Sequence, residues 1–209
     1  MISPQFKNAL TLFEKEVAMF YQKHEDTFDL ESYHGRFHII RCLMLADCIH
    51  RYYDSKLIPI AIDKSYFAIL FHDIMREDNG LDLWELDSSI ACLKFLLKNG
   101  YDNEFAIAAS KIILKQNAKN LEEQVLYDVD VLDYNRFFSL PQERYLFENF
   151  RLKFAGPNDS SLLTDIESRS KLVLLAENLV IYCETLPFTL STPDLVKIVL
   201  EYYLKIKPW

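Results

Sequence analysis

Apolar residues recur at helical spacing along almost the whole chain. Ser3-Pro4 offers an N-cap hydroxyl and a proline at the first helical position, and Phe6, Leu10, Phe13, Val17 and Phe20 follow at intervals of four, three, four and three. That pattern predicts an amphipathic helix to about Lys23. The polar segment Glu25–Ser32 predicts a loop, after which Ile39, Cys42, Leu43, Ala46 and Ile49 mark the buried face of a second helix. Beyond the break at Leu57-Ile58-Pro59, the apolar run from Ile60 to Phe71 predicts a third helix ending on His72-Asp73. Arg76 to Gly80 suits a loop that lines a site. Asp82-Leu83-Trp84-Glu85 has capping-box form and opens a helix through Leu97, which Asn99-Gly100 stops. Asp102 starts another, carried by Phe105, Ile107, Ala108, Ile112 and Ile113, and Asn120-Leu121-Glu122-Glu123 opens one that runs from Val125 to about Phe138. Pro141 and the segment from Ala155 to Asp159 punctuate the remainder, a long helix is expected from about Ser161 to Cys183, and Thr192-Pro193 caps the last.

With only 4 Gly and 7 Pro among 209 residues, there are too few turn signals for a many-stranded β protein, and an all-α fold is expected. Half the residues are apolar, enough for one domain over residues 1–209 with a core at about 33–138 and C-terminal helices, 139–209, packed on it. A net charge of −8 argues against a nucleic-acid polymer as partner and implies that any phosphate chemistry would recruit a cation. Cys42, Cys48, Cys92 and Cys183 form no C-x-x-C pair and suit a reducing compartment. The chain shows no secretory signal pattern and no apolar run of about 18 residues, so a soluble cytoplasmic protein without a membrane partner is expected. The aromatic C-terminal stretch from Tyr202-Tyr203 to Trp209 offers a face for self-association.

The candidate chemistry starts at His72-Asp73. An imidazole and a carboxylate at the end of so apolar a helix cost on the order of several kcal/mol to bury unless hydrogen-bonded, paired or bound to a metal. Two further places put ionisable residues on apolar helices: His38, and Asp130 within Tyr127–Tyr134, where Asp130 shares its face with Leu126, Tyr127, Asp133 and Tyr134. Two imidazoles and two carboxylates make a sulfur-free set suited to one divalent ion of Mn, Fe, Co, Ni, Zn or Mg.

This ordered set, His38, His72-Asp73 and Asp130, resembles the H…HD…D pattern of the HD-domain metal-dependent phosphohydrolases. Tyr33-His34-x-x-x-His38-Ile39 is similar to an uncharacterised bacterial subgroup of that superfamily. The resemblance implies an HD-like helical bundle and a metal held by His38, His72, Asp73 and Asp130. It further implies hydrolysis of a small phosphoester, such as a nucleotide, by water that the ion activates. Asp73 or a nearby acid such as Glu77 would manage the proton, and His34 would contact the phosphate or act as general acid. Arg76, Glu85 and Tyr134 are candidate substrate contacts, and Arg36 and Arg76 suit either phosphate binding or a solvated surface. The chain departs from the subgroup twice, with Trp84-Glu85-Leu86-Asp87-Ser88-Ser89 where Asn-Glu-x-x-Ser-Ala is usual, and Leu132-Asp133-Tyr134 where Leu-Gly is. A module that keeps the fold and binds nucleotide without turning it over is the alternative. His34-Gly35-Arg36-Phe37-His38 also has the His spacing of a zinc-protease helix, but Gly35 stands where that motif needs its general-base Glu. With five histidines in all, a mononuclear site is expected. His24 would meet the negative end of the first helix, and His50 would be a partly exposed helix residue.

Overall fold

The Ser3 hydroxyl accepts a hydrogen bond from the Phe6 amide at 3.1 Å, and the chain enters α1 (Pro4–Leu12) at that cap. A computed structural model describes residues 2–30, 32–77, 84–116, 120–133 and 166–209. Among these residues every regular element is helical, and no helix is long and apolar enough to cross a membrane.

α1 runs through a π turn (Phe13–Val17) into α2 (Ala18–Glu25). Phe6, Leu10, Phe13 and Val17 are buried as the spacing predicts, but Phe20 is 45 % exposed and Tyr21 is fully buried in its stead. A π turn carries one extra residue, so the inward stripe moves on by one position beyond it. The Tyr21 hydroxyl then donates to the Leu70 carbonyl at 2.9 Å. His24, expected as a cation at the end of this helix, is instead buried between the rings of Tyr21 and Phe28, and burial lowers its pKa.

Every residue from Gly35 to His50 is buried, so α3 (Arg36–Ser55) passes through the middle of the molecule. Its charged side chains are each matched. Glu25 serves as a cap brought in from α2, with Oε1 accepting the Arg36 amide at 2.7 Å and Oε2 accepting Arg36 Nε at 2.6 Å. A Cβ at position 35 would collide with Glu25 and Ser32, which is why glycine stands there. Arg36 also donates to the carbonyls of Leu190 and Phe188 at 2.9 and 3.1 Å. It is neither a solvated residue nor free to meet phosphate. Asp47 Oδ2 accepts from Arg51 at 2.7 Å and from Tyr203 at 2.6 Å. His50 is buried rather than partly exposed, with its Nε2 hydrogen-bonded to the Ser65 hydroxyl at 2.7 Å.

α4 (Ile62–Phe71) lies antiparallel to α3, with Ser65 at its start beside His50 and His72 at its end beside His38. α5 (Trp84–Lys98), α6 (Asn103–Ile112) and α7 (Leu121–Asp133) pack around α4, and α7 also meets α3. Asp102 and Asn120 cap α6 and α7 as expected, accepting the Phe105 and Glu123 amides at 2.8 Å each. α8 (Ile166–Glu184) and α9 (Thr192–Ile206) cover the other side of α3, with Ser191 rather than Thr192 as the cap of α9. Their aromatic residues are engaged within the chain: Tyr203 is fully buried, Tyr202 stacks on Tyr182 at 3.8 Å and Trp209 packs on Tyr52 at 5.4 Å. Asp82, Pro141, the segment from Ala155 to Asp159 and the expected helix start at Ser161 lie outside the described residues.

Candidate metal centre

Two histidines on different helices are fixed in the same tautomer. His72 Nδ1 sits 2.8 Å from the Ile69 carbonyl, and His38 Nδ1 sits 2.7 Å from Asp133 Oδ2. Both partner oxygens accept, and the Asp133 carboxylate takes two further hydrogen bonds from the Arg41 guanidinium. Each Nδ1 therefore carries a proton, and Nε2 is the nitrogen that each ring turns outward. These two Nε2 atoms face each other at 3.1 Å.

Carboxylate oxygens close around the same point. Asp73 Oδ2 lies 3.6 Å from His38 Nε2 and 3.5 Å from His72 Nε2, and Asp130 Oδ1 lies 3.7 and 3.9 Å from the same two atoms. Asp73 Oδ2 is buried and has no hydrogen-bond donor among the described residues. Two ring nitrogens and two carboxylate oxygens converge here, donors that a divalent cation takes by displacing any ring proton between them. With bonds of about 2.0–2.2 Å, the donors around a divalent ion stand about 3.0–3.5 Å apart at tetrahedral or octahedral angles. The observed 3.1–3.9 Å needs only a small contraction to match. His38, His72 and Asp73 fit a metal ion on donor chemistry and on spacing, and Asp130 Oδ1 stands 3.7 and 3.9 Å from the two imidazole nitrogens as a fourth donor beside them.

Outside these donors stands a set of residues that hold them. Arg41 clamps Asp133 with Nε on Oδ1 at 2.5 Å and a second nitrogen on Oδ2 at 2.9 Å, both groups being buried. A carboxylate behind a ligand imidazole fixes its orientation and raises its basicity. Trp84 Nε1 donates to Asp73 Oδ1 at 2.8 Å, while the Arg76 guanidinium stacks 3.9 Å from the Trp84 ring with one nitrogen 3.6 Å from Asp73 Oδ2. Lys115 Nζ bonds Asp130 Oδ2 at 2.7 Å.

These charges set the protonation of the site. Burial would raise the Asp73 pKa, but His72, His38, His34 and Arg76 outweigh it and hold the carboxyl well below its usual range. Burial opposes ionisation of Asp130 too, and Lys115 first, then His72, brings its pKa down. Burial would lower the Lys115 pKa, yet the neighbouring Asp130 carboxylate shifts it upward. Both ligand carboxylates are thus ionised near neutrality.

No family model, curated protein or solved structure matches this chain.

Of the residues singled out from sequence, His38, His72, Asp73 and Asp130 come together at one point. His34 is half-buried with its ring 6.0 Å from that of His38, its amide accepted by Asp29 at 2.7 Å. Arg76 reaches Asp73. Glu85 is half-buried in the first turn of α5, close enough to Lys115 to influence its charge. Glu77 is exposed in a separate groove of about 420 Å³, beside Lys23, His24 and Phe28. Tyr134 lies outside the described residues. Sequence reasoning missed Arg41 and Lys115 and counted Trp84 and Asp133 only as departures. A second trio of donors, His38, Cys42 and Asp133, is also within reach of one point, but the Asp133 oxygens are already taken by Arg41 and His38.

Proposed function

We propose that this chain is a metal-dependent phosphohydrolase of the HD type that cleaves a small phosphoester, with nucleotides as the first substrate class to test. The observation that carries the reading is the pair of Nε2 atoms 3.1 Å apart, with Asp73 Oδ2 and Asp130 Oδ1 beside them. A donor set of two nitrogens and two oxygens, free of sulfur, suits Mn, Fe, Co, Ni, Zn or Mg. An ion bound there supplies Lewis acidity and lowers the pKa of a water that it holds.

The chain's own residues do the rest. Asp133 and the Ile69 carbonyl keep both imidazoles in the ligating tautomer. Trp84 holds one oxygen of Asp73 and leaves the other turned to the site as a donor for the ion. His34, beside His38, is placed to meet the phosphoryl group or its leaving oxygen. Four free, buried cysteines suit work in the reducing cytoplasm.

Metal content tests the reading. Protein purified without chelator should carry about one divalent ion per chain, and His72→Ala and Asp130→Ala should each lose it. An ion-free wild type, or variants that keep their ion, would sink the site. With metal present, phosphate release from a panel of nucleotides and sugar phosphates should disappear in Asp73→Ala. Metal without turnover would favour a binding module.

A further inference from the structure

Lys115 has no role in the resemblance, and no periodic signal marks it. It follows the end of α6 with a φ of 52°, a left-handed backbone that residues with a Cβ rarely adopt. This conformation accompanies an ammonium that lies 2.7 Å from Asp130 Oδ2. The other oxygen of that carboxylate, Oδ1, is the one turned to the imidazoles of His38 and His72. Lys115 therefore sits one carboxylate's width from the point where the donors converge.

An ammonium has three N–H donors, and Asp130 occupies one. The side chain is 25 % exposed, so the remaining donors are not sealed in the core. On the opposite flank Arg76 stands in the same relation to Asp73, with one nitrogen 3.6 Å from Oδ2. Each candidate ligand carboxylate thus has a cation of its own, in a chain whose net charge is −8. A tetrahedral oxyanion offers several oxygens close together, and a compact ammonium is a natural partner for one of them.

We propose that Lys115 is a substrate-contact residue of this site, its free N–H groups binding a phosphoryl oxygen while Asp130 holds the ammonium in place. The inference rests on the metal-centre reading above and adds to it the residue that recognises the phosphoryl group. Arg36 cannot take that role, since Glu25 and two backbone carbonyls use its guanidinium.

The test uses the full chain loaded with Mn²⁺, and inorganic phosphate as the probe. Metal content by elemental analysis and phosphate affinity by calorimetry are measured for the wild type, Lys115→Met and Lys115→Arg, with circular dichroism to confirm that each folds. Lys115→Met should keep about one Mn²⁺ per chain and bind phosphate at least tenfold more weakly, and Lys115→Arg should recover part of the loss. Unchanged phosphate affinity in Lys115→Met overturns the proposal. Loss of Mn²⁺ from Lys115→Met also overturns it, because the lysine would then act only by steadying Asp130. A wild type that binds Mn²⁺ but no phosphate removes the role of Lys115 and leaves the metal centre standing. A wild type that binds no Mn²⁺ removes both.

Discussion

α3 carries two buried histidines that face opposite ends of α4, and they have opposite surroundings. His38 meets an imidazole and three carboxylates, with both of its ring nitrogens engaged. His50 meets a serine hydroxyl and the face of Tyr66, and its Nδ1 has no partner. Burial with nothing to offset it pushes the His50 pKa down to about 3, so that ring stays neutral and structural. Depth is the same in the two cases. What sets His38 apart is the acid gathered around it.

The comparison is broken most directly at the metal. His38→Ala should weaken divalent-ion retention by about 100-fold or more, whereas His50→Ala, measured in the same dialysis experiment, should leave it unchanged. Equal losses would mean that both histidines act only through the fold. Asp133→Asn keeps the shape behind His38 and removes the charge. It should lower metal affinity by about 10–100-fold at unchanged helicity, as titration with a competing chelator would report.

The end of α3 that carries His38 is the one with a built-in clearance. Gly35→Ala, which sets a Cβ against Glu25 and Ser32, should cost about 1–3 kcal/mol in denaturant unfolding. A neutral result would show that Glu25 can shift without releasing the helix start. At the other end the expected signature is in pH. His50 takes up its proton near 6.5 when unfolded and only near 3 when folded, so its contribution to stability is complete above about pH 6.5 and declines as pH falls toward 3. The slope is about 1.4 kcal/mol per pH unit in that window. His50→Gln, which does not titrate, should flatten it, and an unchanged slope would assign the acid sensitivity to another group.

The helices were largely legible because apolar spacing is a local property, and so were the four donors, each an ionisable residue on an apolar face. The residues that hold those donors were not. Asp133 supports His38 only because α7 brings its last residue against α3, and Lys115 meets Asp130 through a backbone turn that no periodicity encodes. Arg36 and His50 were misjudged for the same reason, since their partners lie far away in sequence or on another helix. Trp84 and Asp133, the two departures from the resembled pattern, turn out to touch Asp73 and His38, two of the converging donors. A substitution that looks like decay in a motif can be a replacement of its scaffolding.

The wide turn at Phe13–Val17 sets the phase of everything after it. Adding one residue there, with the wide turn kept, would move Phe20 to the inward position where Tyr21 now stands. The Leu70 carbonyl, two residues before His72, would lose its hydroxyl donor. The N-terminal helix therefore speaks to the site through its length: a one-residue insertion, with no side chain of the centre altered, should detune it.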